Sequence, residues 1–354
     1  MSRGDGPMAD NSETSIASLL RALAVVRAVP WYHLADPASP ALDELAAHFG
    51  LHPLQVEDCR HRRQTARVEE HERYTFVVIK ALVPPGGANP PMQAQPESKA
   101  RGGPRQDSAG REAAPGASGA ARVRFEDFDI FLGPDYILTV DEGESSLISN
   151  VARRVAAEPG WHSPDRIAYA LIDAAVDQYL PALDHLGEFI NQLEDRVIRH
   201  PTPATLREIF RSKRTLLDFR RVASSMREAV NALIRRYEAV GASPRPLDRE
   251  LRIYYRDVYD HVVRVLDFVE TYRDLVTGSL DIYLSAVAHR TNEVMKILTI
   301  YGTVALPFLV FTGFYGMNIP LPFQESQLAP LLLVLVMVVS ALGIYAYFRR
   351  KRWF

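Results

Sequence analysis

Two stretches near the end of the chain, Ile297 to Phe314 and Leu328 to Phe348, contain no charged residue. Each is close to the ~17–25 apolar residues with which a helix crosses a hydrocarbon core, so the pattern predicts two membrane spans. Upstream, from Pro30 to Leu82, helix and strand periods alternate. "WYHLAD" predicts a strand, "SPALDELAAHFG" a helix with Ser39 as cap, Pro40 at its first position and Gly50 as its stop, and "RYTFVVIKAL" a buried strand. "VRFEDFDIFL" and "DYILTVD", joined at Gly133-Pro134, predict a hairpin. Between these strands, residues 83–121 turn to Pro, Gly, Ala and Ser. Such a composition buries too little apolar surface to offset the entropy of ordering, and it predicts a disordered insertion.

After the hairpin the pattern is helical to the end. Ser163-Pro164-Asp165 opens one long helix that reaches His200-Pro201, and Thr202-Pro203 opens a second that reaches Gly241-Ala242-Ser243. A third starts after Pro246 and meets no strong breaker before Phe314 except Pro307. At 1.5 Å per residue that helix is on the order of 100 Å long, of which about 30 Å fits in a bilayer core; the remainder is expected as a cytoplasmic stalk. The predicted fold class is an α+β cytoplasmic domain, a long α-helical stalk and two C-terminal transmembrane helices. Its divisions are an N-terminal tail (1–28), the cytoplasmic domain (29–162), two long helices (163–243), the stalk (244–296), a first span (297–314), a short loop (315–327), a second span (328–348) and a basic tail (349–354).

The stalk carries two stripes. Val258, Val262, Val265, Val269, Tyr272, Val276, Leu280, Tyr283 and Val287 recur at steps of three and four, an apolar face that predicts packing against partner helices. Asp281, Ser285, Ala288, Asn292, Met295, Thr299, Gly302 and Leu306 form another face that is small, polar or flexible for most of its length. Small-residue helix packing accounts for such a face; so does a narrow wet path lined by several copies of the helix.

Composition changes the picture in three places. The net charge is −2 and the basic residues are dispersed, which argues against a nucleic-acid partner. The single cysteine, Cys59, excludes an internal disulfide and reads as a small buried thiol. Arg349, Arg350, Lys351 and Arg352 follow the second span, whereas the loop from Tyr315 to Gln327 carries only Glu325 as a charge. The positive-inside rule then places both termini in the cytoplasm. "MSRGDGPMADNSETS" is polar and does not read as a signal peptide. There is no phosphate-binding glycine loop and no nucleophile motif, so an enzyme is not expected. His52 reads as a helix-start residue before Pro53, with Glu57 and Asp58 as first-turn acids.

"YGMN" at the end of the first span is where candidate chemistry gathers. Gly316 permits a tight turn, and Asn318 offers a neutral carbonyl with two acceptor sites. A ring of such amides suits hydrated Mg2+, which demands octahedral oxygen ligands and dehydrates reluctantly. An ordinary helix stop with Asn capping its own backbone fits the same residues.

"TNEVMKILTI", running on to "YGMNIP", with a second span and a basic tail, resembles the CorA family of magnesium and cobalt transporters, as do "RDVYDHVVRVLDFVETYRDLV", "HFGLHPLQVEDC" and "ARVEEHERYTFVVIKAL". The resemblance implies a funnel-shaped homopentamer in the inner membrane that takes up Mg2+, with Co2+ and Ni2+ as further candidates, gated by intracellular Mg2+. It implies a selectivity filter at Gly316, Met317 and Asn318, with Asn318 toward the hydrated ion. Met295, Leu298 and Leu306 match apolar narrowings of the pore, Asn292 and Asp281 match polar rings, and Asp257 matches an acid that holds a regulatory Mg2+ between subunits. Leu298 is one position off the stripe read from spacing. Two departures stand out. The segment after the buried strand, "VPPGGANPPM", lacks the carboxylate that partners the Asp257 position in the family, and Asp127, Asp129 and Asp141 are unranked substitutes. The loop "IPLPFQESQ" leaves Glu325 as the one carboxylate for cation attraction. The alternatives are a zinc transporter like ZntB, and a non-conducting membrane-anchored sensor or scaffold.

Overall fold

The buried strand read from "RYTFVVIKAL" runs Thr75–Val83 and pairs along its whole length with the strand Arg124–Leu132. These are β4 and β5 of a six-stranded sheet in the order β1-β2-β6-β5-β4-β3, where β1 is Ala24–Val26, β2 Trp31–Leu34, β3 Arg67–Glu70 and β6 Ile137–Val140. Only β2 and β6 pair in parallel; the other neighbours are antiparallel, and β5–β6 is the predicted hairpin, closed by the Gly133 N–H on the Tyr136 carbonyl. The computed structural model describes residues 10–27, 29–61, 64–83, 123–143, 146–238, 246–317 and 328–351. The insertion expected over 83–121 lies outside them except for Val83, which closes β4.

The described chain forms two compact units, one of residues 1–195 and 203–278, the other of residues 196–202 and 279–354. In the first, helices α2 (Ala41–Phe49) and α3 (Pro53–Arg60) cover one face of the sheet. Leu42, Leu45, Val56 and Cys59 meet Phe76, Val78, Phe131, Leu138 and Val140 there. Gly50 ends α2 in the left-handed conformation its sequence predicts (φ 66°), with its N–H on the Ala46 carbonyl. α2 begins at Ala41, with Pro40 just outside it; the Ser39 hydroxyl still accepts from the Ala41 N–H at 3.3 Å. His52 caps α3 by accepting from the Leu54 N–H, as expected, but Glu57 and Asp58 fall in the second turn, because the helix already starts at Pro53. The segment read as an N-terminal tail carries α1 (Asp10–Leu23), whose Leu19, Leu20 and Leu23 pack on this core, and the edge strand β1.

Helix α4 (Leu147–Ala157) follows β6, and then comes the largest difference from the pattern. The helix predicted from Ser163 to His200 is two helices, α5 (Pro164–Asp177) and α6 (Tyr179–Arg199). Pro181 explains the break: it has no N–H for the Asp177 carbonyl four residues back, and its ring crowds that carbonyl. Tyr179, fully buried at the new start, donates its hydroxyl to the Lys80 carbonyl at 2.5 Å and so fixes α6 to β4. α7 (Pro203–Glu238) and α8 (Pro246–Tyr315) follow, and α8 is the uninterrupted helix the sequence predicts, with Pro307 inside it. Val258, Val262, Val265, Val269, Val276 and Tyr283 of its apolar stripe are buried, whereas Val287 is 40% exposed. α9 (Ala329–Arg350) completes the second unit.

Candidate ion pathway

The second half of α8 and all of α9 are long and apolar enough to cross a membrane, and almost none of that surface is buried within the chain. The least exposed positions of this part of α8, Ile300, Thr303, Val304, Pro307, Phe308 and Phe311, recur at helical spacing on one stripe. Those of α9, Leu333, Met337, Ser340, Ala341, Ile344 and Phe348, do the same.

The residues expected to line a pore lie elsewhere on α8. Asp281, Asn292, Met295, Leu298, Leu306 and Gly316 are all exposed. At about 100° per residue they fall within an arc of about 120°, centred about 150° round the helix from the half-covered stripe. Leu298, one position off the stripe read from spacing, is inside the arc and 63% exposed. At the lower end, Asp281 is two residues from both Ser279 and Tyr283, which are buried, and thus about 160° from each. Thr299, on the same face, donates its hydroxyl to the Met295 carbonyl at 2.7 Å, so its proton is engaged and its oxygen lone pairs remain outward.

The upper end of the arc is shaped by glycine. The Gly316 N–H closes the last turn on the Thr312 carbonyl at 2.9 Å, and the Met317 N–H reaches the Phe314 carbonyl at 3.4 Å. Gly316 is not left-handed; the requirement is spatial, because a Cβ there would stand 2.9 Å from the Thr312 carbonyl oxygen. Met317, 46% exposed, follows. Asn318 and Glu325 lie outside the described residues.

Asp257 belongs to the first unit, on the exposed side of α8. The structure brings it to His261, whose Nε2 is 3.9 Å from one Asp257 oxygen and whose Nδ1 is 3.4 Å from Asp177 of α5. Asp173 lies one turn before Asp177; burial raises its pKa, and the Asp177 charge adds to this. Sequence reading missed His261 and Asp177. The i, i+4 spacing of Asp257 and His261 was a signal for the first, but no local pattern announces Asp177. Among the described residues no group of three or more His, Cys, Asp or Glu is placed to hold a metal ion, at Asp257 or elsewhere.

The carboxylates considered as its partners do not serve. Asp129 and Asp141 are each 2% exposed, and Asp127 is held by Lys80 and the Gln64 N–H. Asp141 faces His33 at 3.6 Å. Burial pushes His33 down to about 4 and Asp141 up to about 7, so between those values the contact joins two neutral groups and is not an ion pair.

Comparison with known proteins places this geometry. The sequence profile described as CorA-like Mg2+ transporter protein matches residues 27–95 and 115–350. The cobalt/magnesium transport protein CorA of Thermotoga maritima is 30% identical over 309 residues, covering 86% of this chain and 77% of that protein. The cobalt/magnesium transport protein CorA of Methanocaldococcus jannaschii is 23% identical over 331 residues, covering 91% of this chain and 90% of that one. The solved structure of the complete CorA magnesium transporter from M. jannaschii superposes with a TM-score of 0.70 at 21% identity, over 92% of this chain and 91% of its own.

Proposed function

Because this chain belongs to the CorA-like Mg2+ transporter family, we propose that it carries Mg2+ inward across the inner membrane, with Co2+ and Ni2+ as further substrates. It is a divalent metal ion transporter of the CorA family, and in this proposal it works as a homopentamer with both termini in the cytoplasm. The observation that carries it is the exposed arc of α8 from Asp281 to Gly316, opposite the half-covered side of the same helix.

The chemistry of the arc suits a hydrated divalent ion. Five copies of Asn318 offer amide oxygens to the ion's water shell without a fixed charge that would trap it, and Gly316 and Met317 hold that ring at the end of the span. Below it Leu306, Leu298 and Met295 narrow the path with apolar side chains, while Asn292 and Asp281 return polar oxygen atoms. Glu325 in the loop attracts cations to the entrance. No nucleotide is required, since an inward-moving ion gains about 2.3 kcal/mol per charge per 100 mV of membrane potential. Asp257 contributes to a regulatory Mg2+ site between neighbouring subunits; ions that bind the closed state more tightly shift the population toward it.

Cysteine accessibility tests the arc. Cys59 is the chain's single cysteine and is buried, so background labelling is low. A bulky thiol reagent is expected to block Mg2+ flux through Asn292→Cys and Met295→Cys and to spare Ile300→Cys. Block at Ile300 alone would contradict the proposal.

A further inference from the structure

Asp129 is an acid set into an apolar layer. On β5 it pairs in register with Val78 of β4 and Val140 of β6, both fully buried, and Cys59 of α3 lies over it within hydrogen-bonding reach. The residue is 2% exposed, and its Oδ1 has no hydrogen-bond partner. An ionised carboxylate there is desolvated without full compensation.

The titratable and charged groups around it are Asp127 on its own strand, Lys80 from β4, Arg67 from β3, and Asp58 and Cys59 from α3. Both cations are engaged elsewhere: Lys80 pairs with Asp127, and Arg67 binds Asp58 at 2.5 Å and Glu69 at 2.6 Å. From β6, Asp141 turns to the opposite face, where it accepts from the Gly143 N–H. α3 itself is eight residues long, and its outer side borders an open groove lined by Asp43, Leu51, Glu57 and Arg60. The layer that contains Asp129 is the apolar part of its attachment to the domain, beside polar ties from Gln55 to Tyr74 and Glu69 and from Asp58 to Arg67.

We propose that Asp129 is a proton-operated seat for α3: with the carboxyl protonated the helix lies closed on the sheet, and ionisation favours its lifting. Burial pushes this carboxyl up to about 7, from about 3.9 for an exposed Asp. The sign follows from linkage. The closed state holds the proton more tightly than the open one, so closure is most favoured below the exposed value, weakens as pH rises, and stops changing above the closed-state value. The domain thus carries a response to pH that spans about 4 to about 7, separate from the Mg2+ site proposed at Asp257.

The position of Cys59 supplies the test, because thiol labelling of the full-length protein in nanodiscs reports on α3 alone. Thiolate formation itself rises with pH, so the wild type is compared with Asp129→Asn, and with Asp129→Val, which matches Val78 and Val140 should the amide not fold. The ratio of wild-type to variant labelling rates is expected to climb with pH, approaching about tenfold per pH unit, and to level off near 7. A ratio that stays flat from about pH 5 to about pH 8 overturns the proposal.

Discussion

At Gly316 a single hydrogen atom in place of a methyl group lets the span end where it does. A Cβ would press on the Thr312 carbonyl, which already takes the closing hydrogen bond, so Gly316→Ala is predicted to abolish flux while leaving the cytoplasmic domain's thermal unfolding unchanged. Retained flux would show that the last turn tolerates the shift. Asp141 yields a pH prediction. Burial raises it to about 7, so its stabilising contribution is complete below its unfolded value near 3.9 and is lost as pH rises through 7. Asp141→Asn is expected to remove that slope from a plot of melting temperature against pH; an unaltered slope would show that Asp141 is ionised in the fold. His33, pushed down to about 4, has the opposite sign, with stability present above about 6.5 and lost as pH falls toward 4. Gly50 and His52 were legible as caps because capping is local. The burial of Asp129 was not, since "FEDFDIF" alternates acid with aromatic and reads as a half-exposed strand.

The same division holds for elements. The apolar stripe of α8 was legible as core through Tyr283, and its nominal last member Val287 is exposed, because covering depends on where other helices end and not on periodicity. The break between α5 and α6 went unread, although Pro181 marks it, because the apolar period continues across the site. Two elements meet unusually closely at Gly187 of α6, where a Cβ would come within 2.5 Å of the Tyr272 ring of α8. Gly187→Ala is therefore predicted to destabilise the domain by roughly 1–3 kcal/mol through overpacking. Tyr272→Ala in the same chain should relieve much of that cost, and a double-mutant cycle measures the coupling. Strictly additive effects would contradict the contact. Ser163, whose hydroxyl accepts from the Arg166 N–H at 3.3 Å, caps α5, and Ser163→Ala should cost about 1 kcal/mol in denaturant unfolding.

At the scale of the whole molecule, two helices among the described residues are long and apolar enough to cross a membrane, and two helices cannot enclose a path. The exposed arc of α8 acquires its meaning only when several copies face one axis. That arrangement is what the resemblance implies, on "YGMN" and the basic tail; periodicity alone favoured small-residue packing over it. The regulatory acid was the least legible part: Asp257 stands beside His261 and Asp177, and strand burial removes Asp129 and Asp141 as its partners. The most direct test of the account is Mg2+ entry into proteoliposomes, followed with an internal Mg2+-sensitive dye, for the wild type and Asn318→Ala in parallel. Potential-driven Mg2+ entry is predicted for the wild type, with its loss in Asn318→Ala while the oligomer stays intact; equal entry through both proteins, or none through a folded wild type, would contradict the proposed pathway.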